Sequence, residues 1–113
     1  MSTESKIAKI AVWGEKKKMN KIIKQTTSKE PAVRAAAATA LGPIREDEAF
    51  NALVDLIRDP SVDVRKAVII ALGVNGRKAG GEHIRSIMAR PGNEGLLDIC
   101  RTSITQIINS DER

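Results

Sequence analysis

Two segments of the chain repeat the same pattern of hydrophobic positions, 31 residues apart. In each, apolar side chains occupy the i, i+3, i+4, i+7 and i+8 positions, which lie on one face of an α-helix. These positions are Val33, Ala36, Ala37, Ala40 and Leu41 in the first segment, and Val64, Ala67, Val68, Ala71 and Leu72 in the second. A fixed period of this length is typical of a helical solenoid, in which each unit buries its apolar face against its neighbours.

Proline and glycine mark the ends of these helices. An acidic residue and a proline precede each segment, as Glu30-Pro31 and Asp59-Pro60. Proline suits the first turn of a helix because its missing N–H is not needed there. Gly42 follows the first segment, and we expect it to end the helix in the left-handed conformation.

A second, shorter helical pattern follows each segment. These second helices are predicted over residues 47–58 and 82–90. Weaker copies of the repeat occur at both ends, with helices predicted over residues 3–13 and 17–25 and a closing helix over 94–109. The sequence therefore predicts seven helices in a single domain over residues 1–113, with units 3–28, 29–59 and 60–91 before the closing helix.

The repeated unit resembles a HEAT repeat, in the short variety known from phycobilisome-lyase-type proteins. The resemblance rests on an acidic residue and proline, then Val-Arg, Ala and Ala-Leu-Gly, an acidic turn and a second helix that starts with Ala, an order carried by residues 30–59 and 59–73. It implies an all-α, right-handed α-α superhelix of three helical pairs plus a C-terminal helix, with the second helices on the concave surface. Such proteins mostly act as scaffolds, although fold alone does not fix function.

The composition is that of a globular domain with few aromatic residues. Hydrophobic residues make up 42% of the chain and aromatic residues 2%, so the core is predicted to consist of Ala, Leu, Ile and Val. The scarcity of aromatics argues against binding single-stranded nucleic acid by base stacking. The single Cys100 excludes an internal disulfide and fits a reducing compartment, and no apolar run is long enough to cross a bilayer. We therefore expect a cytoplasmic protein that does not enter a membrane.

Basic charge is concentrated at the N-terminus. Residues 1–29 hold eight Lys and two Glu, residues 30–63 carry a net −4, and residues 64–113 carry a net +3. With the 31-residue offset, Lys17 aligns with Glu48 and Lys24 with Asp55. This alignment predicts either weak ion pairs between repeats or a polar stripe that docks a charged partner. The candidate partner-binding residues are Lys17, Asn20, Lys21, Lys24, Asn51 and Arg85.

These observations predict a non-catalytic protein–protein interaction module or scaffold that binds another protein through the exposed face of its second helices. Salt-sensitive nucleic-acid binding through the Lys-rich N-terminal helices is an alternative, although the acidic middle repeat interrupts the basic track. A third hypothesis is that the protein is an accessory subunit of a lyase-like enzyme. Three short repeats, however, form a shallow surface rather than an enclosed pocket. Apolar residues of the closing helix also predict a homodimer through residues 94–109.

The remaining reactive side chains form no catalytic or metal-binding motif. His83 is the only histidine and Cys100 the only cysteine, so neither a metal-ligand spacing nor a nucleophile–base pair is present. We expect no enzymatic activity, no metal and no cofactor. His83 is predicted to be solvated, Cys100 to be a small buried hydrophobe, and Trp13 to close the first layer of the core.

Two further features have structural explanations. Arg34 and Arg65 follow a valine in consecutive units, and we expect each to reach an acid of a neighbouring turn, such as Asp63, or a carbonyl at a helix C-terminus. The glycine-rich segment 73–81 is predicted to be a flexible insertion between two helices. A phosphate-binding loop beside Arg77 and Lys78 is the alternative for that segment.

Overall fold

A computed structural model of the chain describes residues 1–111, which form seven α-helices, one short 3-10 helix and no strand. The helices are α1 (Thr3–Glu15), α2 (Met19–Gln25), α3 (Pro31–Leu41), α4 (Asp47–Asp55), α5 (Val62–Asn75), α6 (Lys78–Met88) and α7 (Leu97–Asp111). The 3-10 helix, Glu94–Leu96, leads into α7. The predicted count of seven helices is therefore confirmed; residues 112 and 113 of the predicted domain lie outside the described residues.

The helices alternate between two layers of an α-α solenoid. The first helices of the units, α1, α3, α5 and α7, pack side by side in chain order, and they provide most of the contact between units. The second helices, α2, α4 and α6, lie against them and touch one another much less. The molecule measures 37 × 33 × 18 Å. Its smallest dimension is close to that of two stacked helices, each about 10 Å across.

One continuous core runs between the two layers. Val33, Ala37 and Leu41 of α3 are completely buried, as are Val64 and the other equivalent residues of α5. The predicted helical stripe is thus confirmed at its central positions. The prediction is wrong at the edge of the stripe. Ala36 is only half-buried at the surface of the first-helix layer, whereas Ala38 is fully buried between helices.

The glycine at the end of each first helix marks a close contact with the next first helix. A Cβ on Gly14 would lie 3.2 Å from Ala40 Cβ, and one on Gly42 would lie 3.2 Å from the Ala71 carbonyl oxygen. The left-handed conformation expected at Gly42 is wrong, since its φ is −49° and its ψ is −54°. These glycines are needed because their missing side chains let neighbouring backbones approach.

The glycine-rich segment 73–81 is mostly helical, which corrects the prediction of a flexible insertion. Gly73 lies inside α5, where an added Cβ would meet Ser103 of α7 at 3.0 Å. Gly80 lies in α6, which begins at Lys78 rather than at residue 82. Only Gly76 and Arg77 remain as a link, and Gly76 has the left-handed φ of 80°.

A buried asparagine orders this short link. Asn75 is 1% exposed, and its Nδ2 donates to the carbonyls of Gly42 at 3.4 Å and Ile44 at 3.3 Å. The backbone carbonyl of Asn75 accepts a hydrogen bond from Arg45 Nη1 at 2.7 Å. The end of α5 is thereby joined to the end of α3, because the amide supplies donors to carbonyls that a helix terminus leaves without partners.

Several other predicted helix boundaries also need correction. α1 ends at Glu15 rather than at residue 13, α6 ends at Met88 rather than at residue 90, and α7 begins at Leu97 rather than at residue 94. α2 begins at Met19 instead of residue 17 because Lys17 has a φ of 54°, which breaks the helix after α1. α4 ends at Asp55 rather than at residue 58. The closing helix continues past the predicted end at residue 109 to Asp111.

Candidate functional site

The six candidate partner-binding residues are all exposed. Lys17 lies in the turn between α1 and α2, and the other five lie on the three second helices. We call this set the second-helix face; it consists of Lys17, Asn20, Lys21, Lys24, Asn51 and Arg85. Four of the six come from the turn and helix of the first unit, so the positive charge of the face is concentrated at one end of the solenoid.

The ion pairs considered for this face do not form within residues 1–111. No carboxylate lies within 4.0 Å of Lys17 or Lys24, although Glu48 and Asp55 occupy the expected positions of α4. The charged ends of these lysines are left to solvent. Their exposure is therefore not explained by salt bridges between repeats.

Trp13 links the lysine-rich end to the core. Its half-buried ring packs against core residues, as predicted, and it also has two ammonium groups close to its ring. Lys9 Nζ lies 5.9 Å and Lys21 Nζ 5.7 Å from the ring centroid, within the range of cation–π attraction. Lys9 had no role in the sequence prediction. Its spacing of four residues before Trp13 on one helix is the signal that could have indicated it.

An apolar groove lies on the opposite layer, between α1 and α3. It has a volume of about 620 Å³, and its lining includes Ile7, Ala11, Ala36, Ala40 and Pro43. Small side chains on both helices create this groove, because they leave the space above the close contact between Gly14 and α3 unfilled.

Two ion pairs join a first helix to the turn that precedes the next first helix. Arg34 donates from Nε to Asp59 Oδ2 at 2.8 Å and from Nη2 to Asp59 Oδ1 at 3.0 Å. In the preceding unit, Lys6 Nζ lies 3.0 Å from Glu30 Oε2. We call each such contact a clasp. Arg34 reaches an acid of a neighbouring turn, as predicted, but that acid is Asp59 and not Asp63.

Arg65 forms a third clasp with neutral acceptors. It donates from Nε to Asn93 Oδ1 at 2.9 Å and from Nη2 to the Gly92 carbonyl at 3.1 Å. Its Nη1 donates to the carbonyl of Asp59 at 2.8 Å, just as Arg34 Nη1 donates to the carbonyl of Ser28. Arg65 was expected to reach an acid or a carbonyl at a helix C-terminus; its carbonyl acceptors lie instead in the turns after α4 and α6, and its side-chain acceptor is an amide.

The clasps lower the pKa of two carboxylic acids, Asp59 and Glu30. Burial has the largest single influence on the pKa of Asp59 and raises it, but the bonds from Arg34 and the Ser61 N–H, together with nearby positive charge, outweigh burial and lower the pKa overall. The pKa of Glu30 is lowered chiefly by hydrogen bonds from Lys6 and then from Thr3. Charge-assisted bonds favour the charged form of an acid, which is why both shifts are downward.

The other singled-out side chains have packing roles. Cys100 is completely buried, as predicted, and burial raises the pKa of its thiol. His83 is half-buried rather than freely solvated, because its ring packs edge-on against Phe50 with centroids 6.2 Å apart. Arg77 pairs with Asp47 at 2.8 Å and lies 5.2 Å from the centroid of the Phe50 ring. The phosphate-loop alternative for segment 73–81 stays a prediction.

Comparison with known families agrees with this architecture. The family model described as HEAT repeats matches residues 10–96. The chain belongs to the HEAT-repeat family. The match covers most of the chain and includes every residue of the three clasps except Lys6. No curated protein matches the sequence.

HEAT repeats generally serve as protein-interaction scaffolds and are typically non-catalytic. Within residues 1–111, no group of three or more His, Cys, Asp or Glu side chains is placed to hold a metal ion. No helix in that part of the chain is both long and apolar enough to cross a membrane.

The last helix of this HEAT-repeat stack presents a largely polar outer face. Its exposed side chains include Asp98, Arg101, Thr102 and Thr105, whereas Ile107 is buried against the preceding unit. Polar outer faces are what the terminal repeats of a solenoid require for solubility. A homodimer through residues 94–109 stays a prediction, and only Ile108 offers it a large exposed apolar side chain on this helix.

Proposed function

We propose that this protein is a non-catalytic scaffold that binds another protein through the second-helix face. The observation that carries the proposal is the set of exposed lysines without ion pairs at the α1–α2 end, within the described part of the chain. Lysines that served only to hold repeats in register would be expected to contact the acids of α4. The subtype of short, phycobilisome-lyase-like HEAT repeat is likewise our proposal.

The partner should present acidic side chains. Lys17, Lys21, Lys24 and Arg85 supply four positive charges, and the amides of Asn20 and Asn51 supply hydrogen-bond donors on α2 and α4. Complementary charge across an interface mainly raises the association rate and the specificity. Binding should therefore weaken as salt concentration rises.

Affinity capture from native lysate, with and without nuclease, tests the proposal. The bait variant Lys17→Glu, Lys21→Glu, Lys24→Glu should lose a protein that the unaltered chain retains after nuclease treatment. A matched variant with Lys29→Glu, Lys66→Glu and Arg101→Glu carries the same charge change at exposed positions outside the second helices, and it should retain that protein. Equal loss in both variants would contradict a specific role for the second-helix face.

Nucleic-acid binding is the second candidate, because the same unpaired lysines are available to phosphates. Recovery of material that disappears entirely with nuclease would favour it over a protein partner. Its affinity should then fall steeply with salt, since lysines that neutralise phosphates release counterions on binding. An accessory role in a lyase-like enzyme would instead require a co-purified small molecule.

A further inference from the structure

The third clasp lacks the carboxylate that the first two contain. Glu30 accepts from Lys6 in the first and Asp59 accepts from Arg34 in the second. At Arg65 the corresponding acceptors are the neutral amide oxygen of Asn93 and a backbone carbonyl. The hydrogen bonds of Arg65 are satisfied in the same way, but its positive charge is not balanced by its own turn.

The sequence of the same turn reverses the charge of the earlier ones. The turns before α3 and α5 contain Glu30-Pro31 and Asp59-Pro60, whereas the turn after α6 contains Arg90-Pro91. The repeat therefore places a guanidinium where the other units place a carboxylate. Arg58, just before Asp59, adds another exposed guanidinium at the adjacent turn.

Arg58, Arg65 and Arg90 line one open cavity of about 390 Å³. The buried side chains of Ile57 and Ile87 form its floor, and Pro91 adds exposed apolar surface. No carboxylate is among its lining residues. The side chains of Arg58 and Arg90 make no hydrogen bond or ion pair within residues 1–110. We call this site the arginine cavity.

The carboxylates of Asp59 and Glu94, in the turns that flank the arginine cavity, are both engaged elsewhere. Asp59 is held by Arg34, although Arg65 also acts on its charge. Glu94 accepts from the Gly92 N–H at 2.9 Å. Since no carboxylate is among the lining residues, the three guanidinium groups give the cavity a positive charge that an anion would balance.

We propose that the arginine cavity binds a phosphate monoester. The guanidinium groups of Arg58 and Arg90 are planar and present paired N–H donors that match the oxygens of a phosphate. Arg65, whose N–H groups are already donated, adds its positive charge. Pro91 offers exposed apolar surface to the organic group that the phosphate carries, whereas Ile57 and Ile87 form the almost completely buried floor. The volume of the cavity falls within the range of about 300–1,000 Å³ that is usual for small-molecule sites, so it has room for more than the phosphate alone.

The phosphate can come from a free phosphorylated small molecule or from a phosphorylated side chain of a protein. The chemistry recognised is the same in both cases. The arginine cavity shares no residue with the second-helix face, so this proposal does not depend on the proposed scaffold function.

Amide chemical shifts of the isotopically labelled full chain test the proposal at constant ionic strength. The probes are inorganic phosphate, phenyl phosphate, and a short phosphotyrosine peptide with its unphosphorylated counterpart. We expect phenyl phosphate to bind more tightly than inorganic phosphate, with shifts centred on Arg65 and residues 90–93. Tighter binding of the phosphopeptide than of phenyl phosphate would indicate a protein source, and the reverse order a small-molecule source.

The double variant Arg58→Gln, Arg90→Gln should weaken phenyl phosphate binding at least tenfold. Both side chains are exposed and without partners in the described residues, so the variant should fold normally. The control Lys29→Gln, Arg101→Gln removes the same charge at exposed positions elsewhere and should change the affinity less than twofold. Equal weakening by both variants, or shifts spread over the lysines of α1 and α2, would overturn the proposal.

Discussion

Arg34 donates two hydrogen bonds, of 2.8 and 3.0 Å, to the carboxylate of Asp59 and so fixes α3 to the turn before α5. The side chains of the two residues are only 14% and 6% exposed. A paired charge of this kind is costly to bury, and removal of one partner leaves the other uncompensated. The clasp therefore controls how one repeat is oriented on the next.

Arg34→Met should destabilise the protein strongly. The variant keeps much of the apolar stem but leaves the Asp59 carboxylate buried without its partner, which we expect to cost about 3 kcal/mol of unfolding free energy. Urea denaturation followed by circular dichroism measures the loss. Arg101→Met is the control, because the Arg101–Asp98 pair is 64% and 100% exposed, and such pairs contribute about 0–1 kcal/mol. Similar losses in the two variants would show that the clasp adds nothing to an exposed pair.

Stability should fall in acid through the same carboxylate. The pKa of Asp59 is lower in the folded protein than its usual value, which is about 3.9 in an unfolded chain. The stabilising contribution of Asp59 is therefore fully present above about pH 4–5 and is lost as the pH falls towards the folded pKa. The lowered pKa of Glu30 acts in the same direction.

Thermal unfolding between pH 2 and 7 measures this dependence. The variant Asp59→Asn should be less stable at neutral pH, and it should lose less of its stability on acidification than the unaltered protein. Parallel loss in the two proteins would mean that the acid sensitivity comes from other carboxylates.

Close approach of helices makes the first-helix glycines sensitive to a single methyl group. In Gly42→Ala the new Cβ would lie 3.2 Å from the Ala71 carbonyl oxygen and 3.3 Å from its Cα, so α3 and α5 would have to separate. Forcing extra atoms into such a contact typically costs about 1–3 kcal/mol. Gly95→Ala is the matched control, since nothing lies within 4 Å of its added Cβ. Urea denaturation should show a loss for the first variant only; equal stability of the two would contradict the close-contact explanation.

The sequence predicted the helices well because each strong repeat carries its own periodicity and its own start signal. The buried positions Val33, Ala37 and Leu41 follow directly from that periodicity. The conformation of Gly42 could not be read in the same way. A glycine at a helix end suits both a left-handed cap and a close contact with a neighbour, and only the position of Ala71 decides between them.

The arginine cavity was missed for a related reason. The replacement of an acid by Arg90 is visible in the sequence, but its significance depends on Asn93 taking over the hydrogen bonds of Arg65. Asn93 lies two residues after Pro91, the proline of this repeat, and no periodic pattern in the sequence marks it. The exposure of the five face residues on the second helices, in contrast, follows from the period, because the apolar positions of each second helix lie on its other side. Lys17, the sixth, lies in the turn before α2.

Cys100 provides a direct probe of opening in this solenoid. Its thiol is completely buried, and burial raises the pKa of Cys100, so both access and thiolate fraction are low in the folded state. Alkylation by iodoacetamide should therefore proceed only through molecules that have opened. If opening is global, the rate should rise about a hundredfold in Arg34→Met, since each 1.4 kcal/mol changes the open fraction tenfold. Mass spectrometry of the alkylated product measures the rate; an unchanged rate would show that Cys100 is reached by a local opening of α7 that leaves the Arg34–Asp59 clasp intact.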